Sequence, residues 1–274
     1  MKVRVAHISD PHFGTVEPDV RAALLQSLKS LAPSAIVVTG DITQRARLRQ
    51  FRDARRFFRE LEPIPVLVVP GNHDIPLFNI FGRLLHPYFG YRRILKGHLK
   101  KRLPLEGVEI FGLASTRRYR HVQGEIDLRA MKKFLSKHPD RAPVRIVGLH
   151  HPLDCPKRVD EKNILRGADG MMAALSNQQV DLVLGGHIHD PLVSLSSARY
   201  PGIEKPLIIS VAGTCLSWRT RADAPNSFHL IDILPTGETP QIQIQRLDYI
   251  DRVSFESIEC HQFVRQPGIG WNRV

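Results

Sequence analysis

Five short polar clusters carry most of the chain's candidate chemistry: Asp10-Pro11-His12, Gly40-Asp41, Gly71-Asn72-His73-Asp74, His150-His151-Pro152 and Gly185-Gly186-His187-Ile188-His189. Carboxylate and neutral imidazole are the donors preferred by borderline and hard cations such as Mn, Fe and Zn. This many donors with few cysteines points to a hydrolytic site for two metal ions. Such a site clamps a phosphoryl group and lowers the pKa of a water molecule until it is a nucleophile at neutral pH. In an X-x-X pair alternate side chains point the same way, so Asp10 with His12, and His187 with His189, are each expected to aim two ligands at one centre. The glycines before Asp41, Asn72 and His187 allow close backbone approach because they lack Cβ. Pro11 is expected to hold Asp10 in extended backbone.

Each residue also has an ordinary reading. Asp41 alone reads as a helix N-cap, Asn72 alone as a turn residue, and a single histidine as a hydrogen-bonded structural residue. Joint occurrence in this order is what sets the clusters apart. His7, His86, His98, His138, His229 and His261 lack such context.

The clusters share a position: each directly follows an apolar run that reads as a strand. Residues 3–8, 36–39, 65–69, 108–114, 144–149, 182–184 and 207–211 are strand-like. Residues 20–31, 48–62, 131–137 and 170–178 have helical apolar spacing. Strands alternating with helices imply βαβ units in a layered α/β core, and in open sheets of this kind ligands collect at the carboxyl ends of the strands. Residues 227–233 and 241–248 alternate as an antiparallel hairpin does, around Pro235-Thr236-Gly237. Residues 75–106 mix aromatic, aliphatic and basic side chains without a clean period and read as an inserted cap.

Asp-x-His, Gly-Asp, Gly-Asn-His-Asp, His and Gly-His-x-His, in that order, resemble the motifs of the calcineurin-like metallophosphoesterases, most closely the bacterial class III cyclic-nucleotide-phosphodiesterase branch. The resemblance spans residues 5–190. It implies a four-layer α/β/β/α sandwich with mixed sheets. The whole chain, 1–274, is then one domain, with a helical cap near 75–106 and C-terminal strands about 227–250 completing the second sheet. It also implies that Asp10, His12 and His189 bind one metal, that Asn72, His150 and His187 bind the other, and that Asp41 bridges them. A metal-bridging hydroxide then attacks phosphorus in line. Of the adjacent pair His150 and His151, the first is assigned by this resemblance. His73 resembles the histidine that contacts phosphate and the leaving oxygen, and Asp74 is expected to orient His73 or its loop.

Phosphodiester, monoester and pyrophosphate hydrolysis all use such a core. The substrate is therefore expected to be a phosphodiester or another phosphorylated small molecule, bound by His73, Asn72 and a basic loop carrying Arg117, Arg118 and His121. With 39 Lys+Arg against 27 Asp+Glu, the chain carries a formal charge of +12, which attracts polyanions in general. A nuclease acting on DNA or RNA, and a peripheral-membrane enzyme acting on a nucleotide- or glycerol-linked lipid, both stay open. In the cap, Phe78, Ile80, Phe81, Leu84, Leu85, Tyr88, Phe89 and Tyr91 precede Arg92, Arg93, Lys96, Lys100, Lys101 and Arg102. This segment could cover a nucleotide, dock on an anionic membrane or pack on its own core. Cys155, Cys215 and Cys260 are scattered and odd in number, against a disulfide framework. No apolar run is long enough to cross a bilayer and the first residues do not read as a signal peptide. The expected location is the cytoplasm, free or at the inner face of the membrane.

Overall fold

The computed structural model describes residues 1–120, 122–138, 142–221, 224–236 and 239–274. Its first strands are short, apolar and covered on both faces, as parallel strands in α/β layers are. β1 (Val3–Ile8), β2 (Ala35–Thr39) and β3 (Val66–Val69) run parallel, with Val5 opposite Ala35 and Ile36 opposite Val66. Between them lie α1 (Pro18–Leu31) and α2 (Leu48–Glu60). Pro18 sits in the first turn of α1, where no intrahelical N–H bond is lost. Gln50 of α2 accepts the N–H of Arg47 and so caps that helix.

Residues 75–106 begin as expected and end differently. They form α3 (Ile80–Leu85), α4 (Phe89–Ile94) and a 3-10 turn, and then a strand, β4 (Arg102–Leu105). The insertion therefore stops before Arg102. Leu103 is buried, and Arg102 pairs across the ladder with Glu109. Pro104 is tolerated because β4 is an edge strand.

The second sheet continues with β5 (Val108–Gly112), α5 (Leu128–Ser136), β6 (Val144–Gly148), α6 (Ala168–Asn177), β7 (Leu182–Gly185), β8 (Leu192–Leu195) and β9 (Ile208–Val211). Its order is β4-β5-β6-β7-β9-β8, with antiparallel strands at both edges. The chain ends in an antiparallel meander of β10 (Ser227–Leu234), β11 (Gln241–Ile250), β12 (Ser254–Gln266) and β13 (Gly270–Arg273). The sequence led us to expect residues 227–250 to complete the second sheet, and they do not. They extend the sheet of β1, giving the order β13-β12-β11-β10-β1-β2-β3. β2 covers one edge of β1, and β10 takes the free one, with Ile231 opposite Val5.

Three apolar cores separate the layers of the α/β/β/α sandwich. Leu24 and Leu28 of α1 and Phe51 and Phe58 of α2 pack on Ala6, Ile8 and Ile36. Val37, Leu67, Ile146, Leu184 and Ile231 fill the space between the sheets. Met131 and Leu135 of α5 and Met171 and Leu175 of α6 cover Phe111 and Val147 on the far side. Tyr91 and Leu95 of the inserted segment belong to the first of these cores, so α4 is anchored while α3 buries no residue at all.

Candidate metal centre

The parallel strands of both sheets end at one rim of the sandwich, and the five polar clusters are the loops that leave those ends. The loops brace one another through the main chain. Asp10 donates its N–H to the Gly40 carbonyl at 3.2 Å, His12 to Asp41 at 3.0 Å, and Gly186 to His150 at 2.9 Å. Two glycines make the approach possible: a Cβ at Gly71 would overlap the Asp41 main chain and carboxylate, and one at Gly186 would overlap Ser9 Oγ and Asp10 Oδ2. Asp10, His12, Asp41, His187 and His189 have φ of 51°, 44°, 48°, 73° and 62°. The left-handed region is costly for residues with a Cβ and persists where the surroundings enforce it. Asp10 is thus left-handed, not extended as Pro11 led us to expect, because its N–H and carbonyl are tied to the Gly40 carbonyl and, at 2.6 Å, to Thr214 Oγ1.

Two donor sets meet at this rim. In the first, His189 Nε2 lies 3.2 Å from Asp10 Oδ1 and 3.1 Å from His12 Nε2, and His12 Nε2 is 3.7 Å from Asp41 Oδ2. In the second, His150 Nε2 lies 3.4 Å from Asp41 Oδ1 and 3.1 Å from Asn72 Oδ1, and the His187 ring packs 5.0 Å from that of His150. Asp41 belongs to both sets, one oxygen to each. His187 and His189 do not aim at one centre as an alternating pair would. Their left-handed backbones splay them, so that His187 groups with His150 and His151 while His189 groups with Asp10 and His12.

Main-chain carbonyls orient the rings. His150 Nδ1 is bound by the Thr39 carbonyl at 2.8 Å and His189 Nδ1 by that of Arg219 at 2.7 Å. Each carbonyl places the proton on Nδ1 and leaves the Nε2 lone pair facing the cluster. Ser9 Oγ and the His187 N–H donate to Asp10 Oδ2 at 2.6 and 2.9 Å, leaving Oδ1 for the centre. His151 is held differently: Ser115 Oγ contacts its Nδ1 at 2.8 Å and the Val122 carbonyl its Nε2 at 2.7 Å. Both of its nitrogens are engaged by groups outside the donor sets, whereas His150 turns its Nε2 to Asp41 and Asn72.

The electrostatics suit cations. Burial opposes ionisation of Asp10 and Asp41, yet the neighbouring histidines hold both carboxyls well below the usual range, His189 acting chiefly on Asp10 and His150 on Asp41. Burial pushes His12 and His187 down to about 3, so both are neutral, the form that ligates. Burial also disfavours charge on His150, but Asp41 and Asp10 outweigh it and raise it to about 9, so its Nε2 carries a proton that an incoming cation displaces before the lone pair can ligate. Among the described residues, the ion pairs made by Asp10 and Asp41 are all with histidines. Two buried carboxylates among imidazole lone pairs form a donor set that fits metal ions.

His73 stands at the open side of this cluster. Its N–H donates to Asp41 Oδ1 at 2.8 Å, its Nδ1 meets the Gln44 carbonyl at 2.9 Å, and its Nε2 faces Asp41 Oδ2 at 3.9 Å. Asp74 does not orient the His73 ring. It is buried and accepts the N–H groups of Gly71, Ile42 and Thr43 and the Thr43 hydroxyl, at 2.9, 3.1, 2.8 and 3.0 Å. Burial and the Asp41 charge push its carboxyl up to about 7. Asp74 thus clamps two ligand loops together, and of the two expected roles, orienting His73 or its loop, it is the loop that it holds. Arg118 is exposed, and its Nη1 donates to the Leu84 carbonyl of α3 at 2.8 Å. Arg117 is half-buried, near enough to Tyr88 to influence its hydroxyl, and His121 lies outside the described residues. Sequence reasoning missed Ser9, Thr214 and the carbonyls of Thr39, Gln44 and Arg219. The carbonyls leave no mark in residue type, while Ser9, adjoining Asp10, carried the one available signal.

The chain is 25% identical, over 206 residues and 70% of its length, to a probable cyclic nucleotide phosphodiesterase of Synechococcus sp., of which the match covers 76%. A shorter stretch of 81 residues, 26% of this chain and 29% of the relative, is 36% identical to a glycerophosphodiester phosphodiesterase of Enterobacter lignolyticus. In fold it is similar to a dimetal phosphatase from Danio rerio, with a TM-score of 0.59 at 13% identity, covering 93% of this chain and 98% of that one. The sequence model of the calcineurin-like phosphoesterases matches residues 3–191, a span that holds both donor sets and His73. The chain belongs to the calcineurin-like phosphoesterase family and is a metal-dependent phosphoester hydrolase.

Proposed function

We propose that this protein is a phosphodiesterase with a binuclear metal centre. Asp10, His12 and His189 hold one ion, Asn72, His150 and His187 hold the other, and Asp41 bridges them. The observation that carries the reading is Asp41 itself, with Oδ2 3.7 Å from His12 Nε2 and Oδ1 3.4 Å from His150 Nε2. When bound, Mn, Fe or Zn ions supply Lewis acidity toward phosphoryl oxygens and make water a nucleophile at neutral pH.

The chain's own residues do the rest. The Gln44 carbonyl holds the His73 proton on Nδ1, so the neutral ring offers Nε2 as an acceptor, and its imidazolium form donates from Nε2 to a phosphate or leaving-group oxygen. Asn72 Oδ1 faces His150 in the second set, and its amide nitrogen offers substrate a donor. A diester is the favoured substrate class because the relatives named above are called phosphodiesterases, one toward cyclic nucleotides and one toward glycerophosphodiesters. The test is a hydrolysis panel with added Mn: an aryl phosphodiester, an aryl monoester, cyclic nucleotides, a glycerophosphodiester and single-stranded DNA. Turnover of small diesters ahead of the monoester is expected. A monoester hydrolysed faster than every diester overturns the proposal, as does a metal content that saturates at a single ion.

A further inference from the structure

The inserted segment presents an apolar surface to solvent that nothing described above uses. Phe78 and Phe81 are each 81% exposed, Leu85 68%, Ile80 64%, Phe89 53% and Leu84 46%. Ile80, Phe81, Leu84 and Leu85 fall at positions i, i+1, i+4 and i+5 of α3, so they share one face of the helix. Contiguous apolar exposure on this scale marks an interaction site rather than chance. α3 is nevertheless held in place. Asn79 caps it by accepting the Gly82 N–H at 2.8 Å, Arg118 binds the Leu84 carbonyl at 2.8 Å, and Arg83 binds the Pro76 and Arg120 carbonyls at 3.2 and 2.6 Å. The main chain is tethered while the apolar side chains are left outside.

The charge around this face selects the partner. Residues 75–105 contain Arg83, Arg92, Arg93, Lys96, Lys100, Lys101 and Arg102 and no Asp or Glu. Two cations lie directly on the exposed rings: the Arg45 guanidinium is 5.9 Å from the Phe78 ring centre and that of Arg93 is 5.7 Å from Phe89. A second protein surface would need apolar area with matching acids. An anionic lipid surface supplies both at once, because aromatic and aliphatic side chains enter the acyl boundary while the flanking Arg and Lys stay among the headgroups. The face also borders the metal centre, since Arg45 follows Gln44, whose carbonyl holds His73.

We propose that α3 and the start of α4 dock this protein reversibly on an anionic membrane surface, with Phe78, Phe81, Leu85 and Phe89 inserted and Arg45, Arg92 and Arg93 on the headgroups. The docking stands independently of the diesterase reading, because it rests on exposure and charge and not on turnover.

The test is co-sedimentation of the whole protein with vesicles of pure phosphatidylcholine, and with vesicles of equal parts phosphatidylcholine and phosphatidylglycerol. Binding to the anionic vesicles alone is expected, with release by added salt. Phe81→Ser with Leu85→Ser should weaken partitioning roughly tenfold or more per side chain. Arg92→Gln with Arg93→Gln should weaken it roughly fivefold per charge. An unchanged thermal midpoint shows that each variant is folded, and the charge pair keeps the test alive if the apolar pair is not. Three results overturn the proposal. The protein fails to sediment with anionic vesicles; it sediments and neither variant pair weakens it; or sedimentation velocity shows a dimer that the Phe81→Ser, Leu85→Ser pair dissolves, which assigns the face to a second copy of the chain.

Discussion

Asp74→Asn separates a loop clamp from a catalytic carboxylate. The Asp74 oxygens accept four hydrogen bonds, from the N–H groups of Gly71 and Ile42 on Oδ2 and from the N–H and hydroxyl of Thr43 on Oδ1. An amide keeps one acceptor oxygen and turns an NH2 group toward the other pair of donors. With the NH2 on the Thr43 side, the hydroxyl can rotate to accept, but the Thr43 N–H faces another donor. A buried donor without a partner costs about 1–3 kcal/mol, and the remaining bonds lose their charge assistance, so the total is about 2–5 kcal/mol. For a chain of this size that lowers the melting temperature by about 5–12 °C. The comparison is best made in chelator and well above pH 7, since the Asp74 carboxyl is pushed up to about 7 and is ionised there. The clamped loops carry Asp41 and Asn72, so metal content and turnover should fall together with stability. If Asp74→Asn left stability and metal content intact and cut kcat by orders of magnitude, Asp74 would act on the reaction directly and the clamp argument would be wrong.

Asp41→Ala should abolish turnover and lower bound metal, read by elemental analysis, whereas His73→Ala should cut kcat by about 10²–10⁴-fold with metal content nearly unchanged; equal metal loss in both would remove His73 from its assigned role. His150→Gln should lose metal where His151→Gln does not, because His150 Nε2 faces Asp41 and Asn72 while both ring nitrogens of His151 are held outside the donor sets by Ser115 and Val122. Chelation should lower the melting temperature and Mn should restore it in a concentration-dependent way, by about 2.7 kcal/mol of stability at a hundredfold excess over Kd. Asp232, bonded to Arg4 at 2.7 Å and Lys2 at 2.6 Å, has its carboxyl lowered by those partners against the opposing effect of burial. Its contribution is therefore present above the unfolded value of about 3.9 and lost as pH falls below it. Asp232→Asn should cost about 1 kcal/mol or less at neutral pH, because both cations are partly exposed, and this difference should vanish in acid unfolding curves.

The strands that end in the polar clusters were legible because each is a short apolar run closed by a residue that cannot continue it. β1 has the bounds read from the sequence, 3–8, and β2 and β3 fall within a residue of theirs. β8, β12 and β13 were not legible. Leu192–Leu195 is only half-buried throughout, and β12 buries little beyond Phe255, His261 and Phe263 while Glu256–Cys260 face solvent, so no clean alternation survives. The metal-centre residues were named from type and order, but how each is aimed was hidden. That aim depends on left-handed φ at Asp10, His12, Asp41, His187 and His189, residues for which the extended or right-handed regions are the default. Asp74 was expected to orient His73 or its loop, and it does bind the loop at Gly71, but its partners some thirty positions back, at Ile42 and Thr43, left no mark in the sequence.

The bracing of the centre and the seam between the sheets are one structure. Thr39, at the end of β2, holds His150 beyond β6, and Asp10, beyond β1, receives the N–H of His187 beyond β7. His7 of β1 continues the same seam inward, with Thr39 Oγ1 at 2.9 Å and Ser210 Oγ of β9 at 3.3 Å. A side chain that orients a ligand here also ties one sheet to the other, so the rings are fixed by contacts that folding makes in any case. The Nε2 atoms are then held facing the centre before any ion arrives, and a cation meets little reorganisation on binding. α3 lies outside this bracing, tied among the described residues through its own cap and three arginine–carbonyl bonds. The molecule thus combines a rigid reactive rim with an adjoining apolar face that no contact within the fold requires, and that separation allows the face to change partners without disturbing the chemistry.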